Sequence, residues 1–298
     1  MSMTHDKSRL LRLATYASVA TASLLILVKL VAWLITGSVS VLASLVDSLM
    51  DVGASVVNLF AVRWSLQPPD ADHRFGHGKA ESLAGLGQAA FIAGSALFLA
   101  LQAVDRLLHP QPLTDLGVGV VVMLFAMAAT GVLLTFQRYV VRQTGSTAIR
   151  ADALHYATDL ASNSATLLAL VGAMFGWMGL DPLFALGIAL YIFYSALQIA
   201  REAVDLLMDR ELSEDDRNKI KAVATGVPGV LGVHELRTRR SGHIAVIQLH
   251  VELADDQPLR RAHAITDQVE AGLRTEFPGA DITIHQDPAG LVENQRRD

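Results

Sequence analysis

The chain has 298 residues, 52% of them hydrophobic and 18% charged, with a net charge of −5 and no cysteine. With a mean hydropathy of +0.38, this composition excludes a disordered chain and points to the bilayer, and the acidic balance gives no footing for nucleic acid. The lack of cysteine excludes disulfides and thiolate sites, so any metal chemistry must use His, Asp and Glu.

Six apolar segments reach the ~20 residues that a membrane span needs. They run over 12–36, 39–64, 82–108, 114–137, 154–177 and 181–207. Gly37-Ser38 parts the first two, Pro68-Pro69 closes the second, His109-Pro110 ends the third, and Gly179 to Pro182 separate the last two. The first run is long and lacks an Ala-x-Ala-type cleavage pattern, so no signal peptide is expected. Lys7, Arg9 and Arg12 precede the first span, Arg63, Arg74 and Lys79 surround the loop after the second, and Arg138, Arg142 and Arg150 follow the fourth. Only Arg106 stands on the opposite side. Cytoplasmic loops carry the excess of Lys and Arg, so both termini are expected in the cytoplasm.

From Leu212 the charge density rises and the apolar runs shorten, which predicts a membrane domain over 1–211 and a cytoplasmic domain over 212–298. The tail reads helix, strand, strand, helix, strand. Ser213 is a natural N-cap with Asp215 and Asp216 in the first turn. Val230–Thr238 and Ile244–Leu253 flank a Ser241-Gly242 turn, Pro258 to Glu276 reads as a helix, and Asp281–Asp287 alternates polar and apolar. The expected fold class is therefore a six-helix all-α transmembrane domain followed by a small two-layer α+β domain.

Four ionisable residues fall inside the apolar segments: Asp47 and Asp51 in the second, His155 and Asp159 in the fifth. Each pair is spaced i, i+4 and so shares a helix face. The two helices run antiparallel. At ~1.5 Å per residue, Asp47 lies ~14 Å from the outer end and Asp159 ~14 Å from the inner end, while Asp51 and His155 lie at ~20 Å and ~8 Å. Each sum is close to the ~30 Å hydrocarbon thickness, so the pairs share levels. Charge in hydrocarbon is costly and marks function. Three carboxylates and one imidazole suit a tetrahedral divalent cation, and the imidazole favours zinc and other transition metals over calcium or magnesium. Spacing alone also admits a proton relay.

Two further stretches carry metal-type ligands. Asp70, Asp72, His73 and His77 lie in the loop after the second span, which also reads as an ordinary solvated loop. The tail holds His234, His243, His250, His263 and His285, with Asp287. Strand parity puts His250 on the face opposite Leu249 and Val251, and His285 with Asp287 on the face opposite Ile284. His234 and His263 can approach from the neighbouring strand and the second helix. Lys29 sits within the first span and has no assigned role beyond snorkelling, lining a cavity or pairing with a carboxylate.

The strings Ser44-Leu45-Val46-Asp47-Ser48-Leu49-Met50-Asp51, Phe75-Gly76-His77-Gly78-Lys79-Ala80-Glu81 and Ala153-Leu154-His155-Tyr156-Ala157-Thr158-Asp159 resemble the cation diffusion facilitator family, most closely its bacterial zinc and ferrous-iron efflux pumps. The resemblance covers almost the whole chain. It implies a homodimer in the bacterial inner membrane that exports Zn²⁺, with Cd²⁺ or Fe²⁺ as alternatives, in exchange for protons. It implies a ferredoxin-like, metallochaperone-like cytoplasmic domain. The transport site maps onto Asp47, Asp51, His155 and Asp159, a second site onto Asp70, His73 and His77, and a two-metal cytoplasmic site onto the tail histidines with Asp287 as a candidate bridge. Asp72, His243, His5 and His109 match no ligand position. The resemblance also implies a salt bridge between Lys79 and Asp209 joining the two domains. Leu154, beside His155, is a candidate apolar gate, though ordinary lipid or helix packing is the favoured account of it.

Three other classes compete. An intramembrane metalloenzyme would also bury Asp and His, but no His-Glu-x-x-His string occurs, and four protein ligands leave no open coordination position. A sodium–proton antiporter does not need His155 or the histidine-rich tail. A metal receptor without transport is separable by a flux assay.

Overall fold

The computed structural model describes residues 2–37, 39–108, 118–174, 180–242 and 244–289. The expected breaks at Ser38, His109-Pro110 and Gly179, and also His243, lie outside them. Six long helices come first: α1 (Ser2–Thr36), α2 (Val39–Ser65), α3 (Lys79–Leu108), α4 (Val118–Thr144), α5 (Thr147–Met174) and α6 (Leu180–Leu207). Several outrun the apolar segments that announced them. A helix continues wherever its caps allow, whereas hydropathy registers only the part that matches lipid. The α4–α5 connection shows why. Gly145 takes φ 68° and returns its N–H to the Val141 carbonyl at 2.8 Å, and the Ser146 hydroxyl accepts the Ile149 N–H at 3.1 Å. These two residues end one helix and start the next, placing Arg150 and Asp152 inside α5 rather than in a loop.

By length and composition, four helices can cross a membrane among the described residues: Asp6–Thr36, Ser44–Ser65, Lys79–Asp105 and Val120–Thr144. The fifth and sixth expected spans are not among these four, and the apolar stretch of each includes residues whose side chains are not described. α5 carries Arg150, Asp152, His155 and Asp159, and α6 ends on Arg201, Glu202 and Asp205. The surface carries the signature of an apolar solvent. Ile35, Leu34, Phe60, Leu101 and Val132 are exposed, while Ser18, Ser55, Asn58, Gln137 and Asp152 are buried.

α3 and α6 pack as a pair through Ala89, Ile92 and Ala96 against Ile192, Ala196 and Ile199. The alanines let the backbones approach closely, which matters where lipid supplies no hydrophobic drive between helices. Leu154 of α5 packs against both of these clusters. α1, α2, α4 and α5 meet at one end of the bundle through Leu11, Val62, Val140 and Ile149.

The tail is α7 (Glu214–Thr225), β1 (Gly232–Ser241), β2 (Ile244–Leu253), α8 (Leu259–Glu276) and β3 (Asp281–Pro288). Ser213 caps α7 by accepting the Asp216 N–H at 3.1 Å. The sheet order is β1-β2-β3; β1 pairs antiparallel with β2, and β3 is parallel to β2 after the α8 crossover. Ile220, Val269 and Leu273 of the helices bury Ile247, Leu249 and Val251 beneath them. This is the ferredoxin-like order without its first strand.

The two parts meet at one joint. Lys79 Nζ lies 2.9 Å from Asp209 and donates to the Leu207 carbonyl at 3.2 Å. Arg239 reaches the same carboxylate at 3.4 Å and lies 5.3 Å above the Phe75 ring. Asp209 takes φ 60°, a left-handed conformation that Asp tolerates, as the chain leaves α6. Beside it, Gly78 presses against the β1–β2 turn so closely that a Cβ would lie 2.5 Å from the Ser241 carbonyl. Gly78→Ala is expected to force the hairpin away at a cost of ~1–3 kcal/mol. Hydrogen exchange should speed up around 239–242 and leave the interior of β2 protected; unchanged exchange would mean that the contact is not held in solution.

Candidate metal centre

α2 and α5 bring three donors to one place. His155 Nε2 lies 3.0 Å from Asp51 Oδ1 and 4.0 Å from Asp159 Oδ2. One donor atom from each of the three falls within 4.8 Å of the others, a spacing one cation can span. His155 is 7% exposed, with Phe91 of α3 at 6.3 Å from its ring and Tyr156 at 5.5 Å. Asp47 stands one turn before Asp51 on α2; its side chain is not among those described. Lys29 of α1 reaches this stretch of α2: its ammonium donates to the Ser48 hydroxyl at 2.6 Å and the Ser44 carbonyl at 3.1 Å. It thus ties α1 to the helix that carries the carboxylates.

A polar cage beneath this cluster went unread in the sequence. Asp152, one turn before His155, is fully buried. It accepts from Ser18 of α1 at 2.7 Å, Gln137 of α4 at 2.6 Å and Gln88 of α3 at 3.2 Å. The Tyr156 hydroxyl lies 3.0 Å from Ser55 of α2 and 3.3 Å from Ser18. Five helices therefore converge on one carboxylate and one phenol, which fix the rotation of α5 and with it the aim of His155 and Asp159. The available signal was the run of lone polar residues in apolar helices. It was missed because the fifth apolar segment begins at 154.

The loop gathers a second set. Asp70, His73 and His77 also bring donors within 4.8 Å. Asp70 Oδ2 lies 3.2 Å from His77 Nε2, and its Oδ1 accepts the backbone N–H of His73 at 2.6 Å and of Asp72 at 3.0 Å. The His73 amide, foremost, holds the Asp70 carboxyl below the ordinary carboxylate range, so it stays ionised as a ligand should. Trp64 packs on His77 at 5.8 Å, giving the loop a fixed wall. Asp72 contributes its backbone to the turn rather than a donor to the set.

The third set lies on the open face of the tail sheet. His234, His250 and His285 are neighbours across three strands, because His234 pairs with His250 and His250 with His285. Asp287 Oδ2 lies 2.8 Å from His250 Nδ1 and 3.3 Å from His234 Nε2, while its Oδ1 lies 3.3 Å from His285 Nε2. A carboxylate with one oxygen toward each histidine group can bridge. His263 does not join this cluster: its Nε2 is 3.7 Å from Asp267, on its own helix. A bulge after His234, with Glu235 at φ 46°, brings Glu235 to 3.7 Å from His250; parity counting has no means of finding an acid placed by a bulge.

Two family models match the chain: the cation efflux transmembrane domain over residues 15–208, and the cytoplasmic domain of cation efflux proteins over 212–289. The cation-efflux pump FieF of Escherichia fergusonii is 53% identical over 293 residues, covering 98% of each chain. The FieF pump of Shigella flexneri serotype 5b matches over the same span with the same identity. A solved chain of CzrB is 33% identical and covers 26% of this chain and 99% of its own, with a TM-score of 0.26.

Asp152→Ala is expected to strand the Ser18, Gln88 and Gln137 donors and destabilise the helical domain by about 3 kcal/mol. The midpoint of thermal unfolding in detergent should drop, and Asp152→Asn, which keeps an acceptor, should recover part of the loss. Equal midpoints for the alanine variant and the parent would show that the cage does not hold α5.

Proposed function

Because the chain belongs to the cation efflux family, a family of multi-pass membrane transporters of divalent metal cations and not of enzymes, we propose that it exports Zn²⁺ from the cytoplasm in exchange for protons. The observation that carries this reading is His155 facing Asp51 and Asp159 across two helices. Mixed nitrogen and oxygen donors select zinc and its neighbours, Cd²⁺ and Fe²⁺ included, over magnesium and calcium. Asp47 completes the quartet. The Asp70/His73/His77 set is a second metal site at the cytoplasmic membrane surface. All six helices cross the inner membrane, with both termini and the tail, from residue 212 onward, in the cytoplasm. The chain works as a homodimer, as the tail's family match suggests.

Exchange follows from ligand chemistry. A carboxylate or imidazole holds either a proton or the metal, so loading from the cytoplasm expels protons and protonation on the far side expels the ion. Metal binding therefore tightens as pH rises and weakens as it falls. Alternating access moves the quartet between the two sides, and Leu154, packed against α3 and α6, closes the cytoplasmic route. The Lys79–Asp209 pair joins transport domain to tail. Its side chains are 40% and 46% exposed, so it acts as a hinge pin more than a source of stability. Asp51→Ala or His155→Ala in proteoliposomes should cut proton-driven zinc flux at least ~10–100-fold, the scale on which even outer-shell losses weaken metal sites. Zinc movement against a proton gradient at the normal rate in Asp51→Ala would end this mechanism.

A second reading concerns the tail. The aligned histidines and bridging Asp287 support a cytosolic metal sensor, with His263 as a ligand that swings in on loading. Binding there regulates flux only if it favours one dimer arrangement over another. In the double variant His250→Ala with His285→Ala, transport should lose its steep dependence on cytosolic zinc while keeping its maximal rate. An unchanged dependence would leave the tail as a dimerisation element alone.

A further inference from the structure

We propose that the cavity between α4, α5 and α6 binds the headgroup of an anionic phospholipid. Its volume is about 420 Å³, and three arginines line it: Arg138 and Arg142 of α4, and Arg150 of α5. Arg150 is engaged with Glu202 of α6. Among the described residues, no hydrogen bond, ion pair or ring contact occupies Arg138 or Arg142, which are one turn apart on the same helix and both exposed. Guanidinium groups keep their charge at any physiological pH and present paired N–H donors that match phosphate oxygens. Ser195 and Gln198 of α6 add neutral polar atoms to the same lining.

The rest of the cavity says what carries the phosphate. Deeper along each helix the lining turns apolar. Leu134 lies one turn inward of Arg138, Ala157 two turns inward of Arg150, and Tyr191 one turn inward of Ser195. Charge at the mouth and apolar surface toward the bilayer centre is the polarity profile of a phospholipid entering head outward. A free anion would have no use for the apolar half. Basic pockets between transmembrane helices on the cytoplasmic side recognise acidic headgroups in this way. A lipid seated here lies against α5 on the face that carries Leu154 and Ala157, the helix that also holds His155 and Asp159. Lipid composition would then reach the transport site by packing.

The test uses the full-length protein in neutral detergent, titrated with phosphatidylglycerol or phosphatidylcholine and read by native mass spectrometry and thermal unfolding. Phosphatidylglycerol should be retained and should raise the unfolding midpoint; phosphatidylcholine should do neither. R138Q with R142Q should weaken phosphatidylglycerol binding about thirtyfold, given what two basic groups contribute near a membrane surface. R9Q with R12Q, an equal charge loss outside the cavity, should leave it unchanged. Equal weakening in both double variants, or none in the first, would reduce the effect to general surface charge and overturn the proposal. Equal stabilisation by inorganic phosphate would overturn the lipid assignment in favour of a free anion. Should the first double variant fail to fold, Ser195→Leu intrudes on the cavity with every arginine intact, and undiminished lipid binding there overturns the proposal equally.

Discussion

One constraint organises the helical domain: carboxylates and an imidazole sit between apolar helices and must stay aimed at one another. Burying such groups apart would cost several kcal/mol each, so α2 and α5 have to present them at the same depth and the same rotation. The 3.0 Å approach of His155 to Asp51 is the result. Two polar devices hold it. Lys29 reaches from α1 to Ser44 and Ser48 and registers α2. The Asp152 cage ties α5 to α1, α3 and α4 through Ser18, Gln88 and Gln137. Apolar packing in lipid is weakly directional, so these hydrogen bonds supply the alignment that a water-driven core supplies elsewhere.

The same ligand chemistry recurs in three settings, each mixing more buried and more exposed donors. In the loop, Asp70 and His73 have half-exposed side chains beside a buried His77; in the tail, His250 and Asp287 are partly buried; between the helices, a buried His155 stands beside partly exposed Asp51 and Asp159. Access sets how fast an ion exchanges and how strongly protons compete. The tail set is stiffer, because a three-strand ladder fixes its histidines side by side. Between the helices, the Asp51 carboxylate beside His155 offsets part of the cost of burying the imidazole.

Hydropathy located the helical regions, because lipid length is a strong and local signal. It did not locate their ends. The apolar count starts the fifth segment at 154, whereas Gly145 and Ser146 start α5 at Thr147, and the seven-residue difference hid Asp152. Spacing brought His155, Asp51 and Asp159 together correctly, since i, i+4 pairs and rise per residue are properties of any helix. In the tail, parity aligned His250 with His285 and Asp287. It could not see that Asp287 offers different oxygens to His250 and His285, that a bulge brings in Glu235, or that His263 turns to Asp267. Those depend on register shifts and rotamers, which one sequence does not encode legibly.

The joint between the two parts carries information in a form that neither hydropathy nor ligand spacing reports. Lys79 and Asp209 are charged and half exposed, so their attraction alone is too weak to force the tail into one orientation. The close approach of Gly78 to Ser241 and Gly242 adds shape, and Arg239 over Phe75 adds a stacked cation. Gly78 directly follows His77, a member of the loop set. Any shift of the loop is therefore delivered to the β1–β2 turn, at the far end of the strand that carries His234. A joint made of one glycine contact, one stacked cation and one exposed ion pair is specific in geometry yet cheap to break, which is what a hinge between two domains requires.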